Sequence, residues 1–436
     1  SIRRRQRQMC IRDSYLNGET TALKAEIDRI AQQTTWNGMN LLDGSYGSTG
    51  AKNIHVGQDA RQTIDVQIKD SSSKELGVFQ LQGEMSATGD AAATGATIAA
   101  SGSITAQTLT LNGYVGTDTV AVVTDANADQ VANLINAVTE STGVKAYAVT
   151  KARLHGFTAG VDEVRFALHS EDRDSTQSVS ISANITNTAD LTVLATAINN
   201  TFSTTGISAE LAVNKTELVL THASGATIGI NNFAVKGTDT DSAKGFTMQA
   251  LDRYGVRGDD PGFVGTPTST EIVASTTSRS GVVIGQLVLE SINAFTVTGD
   301  DTTVGEGFFG TEHYGAAPFA GTAEGGTATL NNVASLNVST RSGANDAIKA
   351  LDGAISRINS TRAELGAISN RLSSVIDNAT SMVTNTESSR SHILDTDFAS
   401  ETTKLTRSQI LQQAATSMLA QANSSKQGVL ALIQNL

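Results

Sequence analysis

Six histidines, at positions 55, 155, 169, 222, 313 and 392, are the residues best suited to hold a metal or move a proton, and each stands alone. The zinc-metalloprotease motif sets two histidines one helical turn apart with a glutamate between them, and the chain contains no His-Glu-x-x-His. Three acidic runs, HSEDRD (169–174, with Glu171, Asp172 and Asp174), TDTD (238–241) and GDD (299–301), offer oxygen ligands. None has the alternating Asp spacing that encloses calcium, so they read as solvated turns. GEGFFG (305–310) lacks the Lys-Ser/Thr that would complete a phosphate cradle. Arg257-Gly258-Asp259 spells an adhesion tripeptide inside a Gly/Asp-rich stretch where chance explains it. Asn184, Asn199 and Asn214 open Asn-x-Ser/Thr sequons, and the single Cys rules out an internal disulfide. No catalytic set, metal site or cofactor site emerges, and the sequence points away from an enzyme.

Composition agrees. The chain has 436 residues, 39% hydrophobic but only 4% aromatic, with three Pro and one Trp. That length predicts more than one domain. A net charge of −12 disfavours binding to a phosphate backbone, and no run of about eighteen apolar residues exists to span a membrane. No secretory signal pattern opens the chain. Residues 1–14, SIRRRQRQMCIRDS, are basic and hold the only Cys; residues 4–14 resemble a translated sequencing adapter. Without those fourteen residues the net charge is −16.

The elements that must position any site follow from periodicity. Leu23, Ile27 and Ile30 form an apolar stripe on a helix ending near Gln33, and Asn37-Gly38 and Asp43-Gly44 mark turns. Residues 53–68 alternate, with Ile54, Val56, Ile64, Val66 and Ile68 on one face, and predict a hairpin around GQDARQ. From 86 to 330 the chain turns to Gly, Ala, Ser, Thr, Asp and Asn with short β-branched runs such as Ser103–Leu111, Thr119–Val123, Glu217–Thr221 and Gly281–Leu289. This predicts an all-β region with one or two short helices. An internal repeat offset by 63 residues pairs Ile135-Asn136 with Ile198-Asn199 and Thr142-Gly143 with Thr205-Gly206, giving units 103–155 and 163–236.

The last hundred residues change period. Ile348, Leu351, Ile355, Ile358, Arg362, Leu365, Ser369, Leu372, Ile376, Ala379 and Val383 recur in steps of three and four, a heptad seam on a helix from about 344 to 392. After a break near 392–398 a second amphipathic helix runs on. Leu405, Ile410, Leu411, Met418, Val429 and Leu432 carry its apolar side, while its back is Gln, Ser, Thr and Asn. A helix with so few charges is marginal in isolation and is expected to be ordered by partners.

These residues resemble a known family. SRSHILDTDFASET (389–402), QILQQAATSMLAQAN (409–423) and GVLALI (428–433) look like the C-terminal end of bacterial flagellin. AEIDRIAQQTTWNGMNLLDGS (25–45), with Trp36 where the family has Phe, and HVGQDARQTIDVQI (55–68) resemble its N-terminal motifs. The repeat resembles the flagellin IN insert. The resemblance implies an α+β, multi-domain chain in which the two terminal regions form a helical rod around a β-rich central insert. The domains expected are an artefact at 1–14, a partial N-terminal rod segment at 15–85, an outer region at 86–330, a rod helix at 331–395 and an inner-core assembly helix at 396–436.

The function implied is that of a secreted structural subunit that polymerises into the flagellar filament, its terminal helices ordering on assembly. Its implied partners are other copies of the chain, an export chaperone, and cap and junction proteins. The flagellin-sensing Toll-like receptor is a further implied partner, with Glu19 matching a contacting Glu by its spacing from the EIDR motif. Leu405, Ile410, Leu411, Met418, Val429 and Leu432 are the expected assembly residues, and Ile348, Leu351, Ile355, Ile358, Leu365, Leu372 and Ile376 the rod seam. Family members carry further N-terminal helix that is not represented here, so the expectation is a truncated gene whose 436-residue product does not form filaments alone. The alternatives are a hook–filament junction adaptor, which shares the terminal helices, and a β-rich surface adhesin, which needs a cleft the sequence does not offer.

Overall fold

A computed structural model describes residues 2–46, 52–57, 62–83, 86–90, 106–124, 126–158, 163–170, 178–212, 214–236, 244–255, 269–274, 280–299, 325–394 and 397–434. The adhesion tripeptide at 257–259, the acidic residues 171–174, 238–241 and 300–301, the Gly-rich 305–310 and all three prolines lie outside them. The chain divides into two compact units. One comprises residues 1–49 and 68–361, the other residues 50–67 and 362–436.

Helix α1 runs Ile2–Gln33, so the adapter-like residues continue a helix that ends where the turn dipeptides begin. Asn37 and Gly38, both at positive φ, then reverse the chain between two-residue strands Thr35–Trp36 and Met39–Asn40.

The β region of the first unit is built of antiparallel sheets. Strands Val179–Asn184, Glu163–Ser170, Ile228–Val235, Ser280–Ile284 and Ser86–Asp90 make a five-stranded sheet in that order. The eleven-residue strand Lys145–His155 organises the largest sheet. Its first half pairs with Gln286–Ser291, while its second half pairs with Leu218–His222 on one side and Gly245–Leu251 on the other. Strands Gln107–Asn112, Thr117–Val122, Thr296–Gly299 and Gly325–Thr327 form a four-stranded sheet.

Two features correct the sequence reading. The run Gly281–Leu289 is two strands, one in each of the larger sheets, broken at Gly285. A side chain there would lie 2.3 Å from Thr150 Oγ1 and 2.7 Å from Gly225 O, so only glycine lets the chain cross between sheets at this point. Strand Gly77–Gln82 pairs with Gln286–Ser291 and Thr329–Asn332, which places it inside the largest sheet rather than in an N-terminal segment ending at 85.

The repeat is visible atom by atom. Helix α2 (Ala128–Ala137) leads through the single turn α3 (Thr139–Thr142), and α4 (Thr192–Asn199) leads likewise through α5 (Phe202–Thr205). That makes four short helices among the described residues of this region where one or two were expected, because each Thr-Gly segment adds a turn. Asn136 bridges to the following strand through Ala146, its Nδ2 donating to the carbonyl at 2.8 Å and its Oδ1 accepting from the N–H at 2.9 Å. Asn199 does the same to Ala209, at 2.8 Å in both directions. Gly143 and Gly206 each end their turn at φ near +70°, which a β-carbon would strain. Each unit has its own core. Val131, Ile135, Val144 and Leu289 belong to one, and Leu194, Ile198, Ile207 and Phe233 to the other.

The second unit contains a hairpin, the later part of one long helix and the last helix. Strands Lys52–His55 and Thr63–Val66 pair with Ile54 opposite Ile64; Ile64 is buried and Ile54 partly exposed. Helix α6 runs Arg341–Leu394, and α7 runs Phe398–Gln434 after a break within the expected interval. At ~1.5 Å per residue, α6 spans about 80 Å.

Candidate assembly interface

Helix α6 starts against the β region on small side chains. Ala347, Ala350, Gly353 and Ala354 fall on one face and are buried, packing with Leu76, Val333, Leu336 and the half-buried Ile27 of α1. A β-carbon at Gly353 would lie 2.7 Å from Val78 Cβ and 2.8 Å from Gly77 O, so glycine sets how closely helix and strand approach. Arg357 extends this face by donating from Nη1 to Glu75 O at 2.9 Å.

The expected rod seam is a different face, about 100° around the helix. Ile348, Leu351, Ile355 and Ile358 are 40–58% exposed. Farther along, in the second unit, Leu365 and Leu372 are half-buried and Ile376 is exposed. There the hairpin and α6 border an open groove of about 1000 Å³, lined by Ile54, Val56, Leu372, Val375, Ile376 and Met382 among others. The bulky heptad residues are therefore the face that the first unit leaves wet.

Helix α1 repeats the arrangement. Its inward face is Lys24, Ile27, Asp28 and Ala31. The Lys24 ammonium donates to the carbonyls of Ala334 and Leu336 at 3.0 and 2.9 Å, and Asp28 accepts from the N–H and hydroxyl of Ser73 at 2.8 and 2.9 Å. Leu23 and Ile30 of the expected stripe are exposed, with Leu16 in line one heptad earlier. Only Ile27 packs. Glu19 is exposed on the same helix.

A charged joint missed by sequence reading fixes the start of α6. Arg253, its side chain 5% exposed, donates to Tyr147 Oη at 3.0 Å, Gln80 Oε1 at 3.2 Å and Asp346 Oδ1 at 2.9 Å. The Tyr254 hydroxyl also donates to Asp346, and Lys349 lies 4.5 Å over the Tyr147 ring while reaching Glu290. Burial works against the Arg253 charge, but the surrounding Tyr147, Tyr254, Asp346 and Glu290 hold its pKa above the ordinary arginine value. Burial raises both tyrosines. No periodicity could reveal this group, since Gln80, Tyr147, Arg253 and Asp346 come from four distant segments.

His169 is another deeply buried titratable group. Its ring packs against Gly229, where a β-carbon would sit 2.0 Å from Nε2 of His169. Neither ring nitrogen finds a hydrogen-bond partner, and burial lowers its pKa to about 4. Among the described residues no group of three His, Cys, Asp or Glu is placed to hold a metal. The acceptor Asn199 of one sequon is committed to Ala209, as above. No described helix is long and apolar enough to cross a membrane.

Helix α7 differs from the other described helices: none of its residues is buried. Leu405, Ile410, Leu411, Met418, Val429 and Leu432 are all more than half exposed, and so are Leu419, Leu430 and Ile433. At ~100° per residue, Ile410 and Ile433 lie about 140° apart around the axis. The apolar surface thus covers more than the single seam read from sequence, which suits a helix surrounded by several neighbours. Such area is too large to stay in water in a finished protein.

A β-rich region in a chain whose long helices leave apolar faces open fits a structural subunit completed by assembly. Comparison with known proteins makes this specific. The bacterial flagellin C-terminal helical region matches residues 348–433, and the flagellin hook IN motif matches residues 108–160. B-type flagellin of Pseudomonas aeruginosa is 32% identical over 419 residues, which is 96% of this chain and 77% of the relative. Flagellin of Salmonella choleraesuis is 28% identical over 428 residues, 96% and 78% of the two chains. Flagellin B of Vibrio cholerae is 50% identical over 101 residues, 23% of this chain and 27% of that one. The chain belongs to the bacterial flagellin family. It is a structural subunit of the extracellular flagellar filament, with an α+β, multi-domain fold.

Proposed function

We propose that α7 and the open stripes of α6 and α1 are the surfaces through which copies of this chain polymerise. The observation that carries this is α7 itself, thirty-seven residues long without one buried side chain. Burial of a large apolar side chain yields ~1.5–3 kcal/mol, so the ten large apolar residues of α7 that are more than half exposed, Phe398 included, hold a large unspent driving force. Polymerisation releases it, and α7 orders as it is buried. In this reading residues 331–395 form the rod helix, 396–436 the inner core and the β region the outer surface, which begins at strand Gly77–Gln82.

The family supports further partners. Before assembly an export chaperone covers α7, and cap and junction proteins meet the same helices at the filament ends. Glu19, exposed on α1, is the residue through which the flagellin-sensing Toll-like receptor makes contact.

Seeded polymerisation tests the central reading. Met418→Asp places a charge in the middle of the apolar surface and abolishes addition to filament seeds, measured by sedimentation, while hydrogen exchange of the strand Lys145–His155 stays unchanged. Filaments of normal length from this variant would refute the assignment of α7.

A further inference from the structure

The methionines whose exposure the structure defines are graded. Met248 is fully buried, Met39 is 37% exposed, Met382 50% and Met418 71%. Met418 is also the one placed at the centre of α7, where no charged residue occurs between Arg407 and Lys426. Along the helix its near neighbours include Leu411, Ala414, Ala415, Leu419 and Ala422. A surface seated on the apolar side of this segment buries the Met418 thioether among apolar groups.

We propose that Met418 is an oxidation-sensitive assembly switch. A peroxide or hypochlorite converts the free subunit's thioether to the sulfoxide, and the oxidised subunit no longer adds to a filament. In the peroxide case a sulfur lone pair attacks one oxygen of the oxidant and the O–O bond breaks. Sulfur loses two electrons as the new S–O bond forms, and the second oxygen leaves as water after proton transfer. The product carries a strong acceptor oxygen on a side chain that assembly must desolvate, and an uncharged apolar contact offers it little in return. A dithiol reductase reverses the change, taking the oxygen away as water while its two thiols become a disulfide. Assembly in turn covers the sulfur, so subunits in the filament resist the oxidant that disables free ones. This proposal rests on the assembly role of α7.

The test treats the free chain with limiting hydrogen peroxide, maps sulfoxides by peptide mass spectrometry and measures addition to filament seeds by sedimentation. Sulfoxide is expected first at Met418, then at Met382 and Met39, with Met248 spared. Oxidised chain then adds roughly tenfold less or worse, and methionine sulfoxide reductase restores it. Met418→Leu keeps the apolar volume without the sulfur and adds equally well before and after peroxide. Undiminished addition by chain carrying the Met418 sulfoxide would overturn the switch, as would equal peroxide sensitivity in Met418→Leu. Failure of the untreated wild-type chain to add would instead remove the assembly reading and the switch with it.

Discussion

Lowering the pH from 7.5 to 4.5 destabilises the β region through His169. The imidazole is fully buried over Gly229, has no hydrogen-bond partner and is held at a pKa of about 4 by burial, against an ordinary value of 6.5. Between those values the unfolded chain binds a proton that the folded chain does not. Stability is therefore complete above about pH 6.5 and falls as the pH drops toward 4. A shift of ~2.5 units at ~1.4 kcal/mol per unit gives a ceiling near 3.5 kcal/mol, of which about 2.5 kcal/mol is lost by pH 4.5. Urea melts at the two pH values, followed by the circular dichroism of the strands, measure this loss. His169→Phe keeps a flat ring over Gly229, breaks no hydrogen bond and cannot titrate, so comparing it with the wild type removes the contribution of other groups. The wild type should lose about 2.5 kcal/mol more than the variant over this interval. Equal losses, to within about 0.5 kcal/mol, would show that the His169 site is open to water or protons and refute the reasoning.

Gly353→Ala forces a β-carbon into Val78 and the Gly77 carbonyl, and should cost ~1–3 kcal/mol in the first unit, seen as a lower urea midpoint with an unchanged slope. Asn136→Ala and Asn199→Ala each strip the partners from one backbone N–H and one carbonyl in equivalent positions. Each should cost about 1–3 kcal/mol, and because the two units have separate cores the double variant should lose the sum in thermal or urea unfolding.

The sequence by itself determined the parts that rest on local chemistry. Turn dipeptides ended α1 at Gln33, alternation around Ile54 and Ile64 made the hairpin, and the 63-residue offset located Asn136 and Asn199, whose side chains bridge backbone only ten residues away. The three-four spacing of residues 341–394 and the sparse charge of the last helix foretold two long helices that lack a full set of partners, because period and charge are properties of the helix itself. Which apolar face each helix buries was decided only in three dimensions. Helix α6 carries two apolar faces; periodicity picks out the bulkier, whereas the chain packs the smaller one, where Gly353 permits close approach to Val78, and α1 turns inward a face of Lys24, Ile27, Asp28 and Ala31. The same holds for the Arg253 joint, the change of sheet at Gly285 and the burial of His169 over Gly229. Each joins residues tens to hundreds of positions apart, and a contact of that kind depends on how close two backbones come, a distance that no local spacing in the sequence encodes.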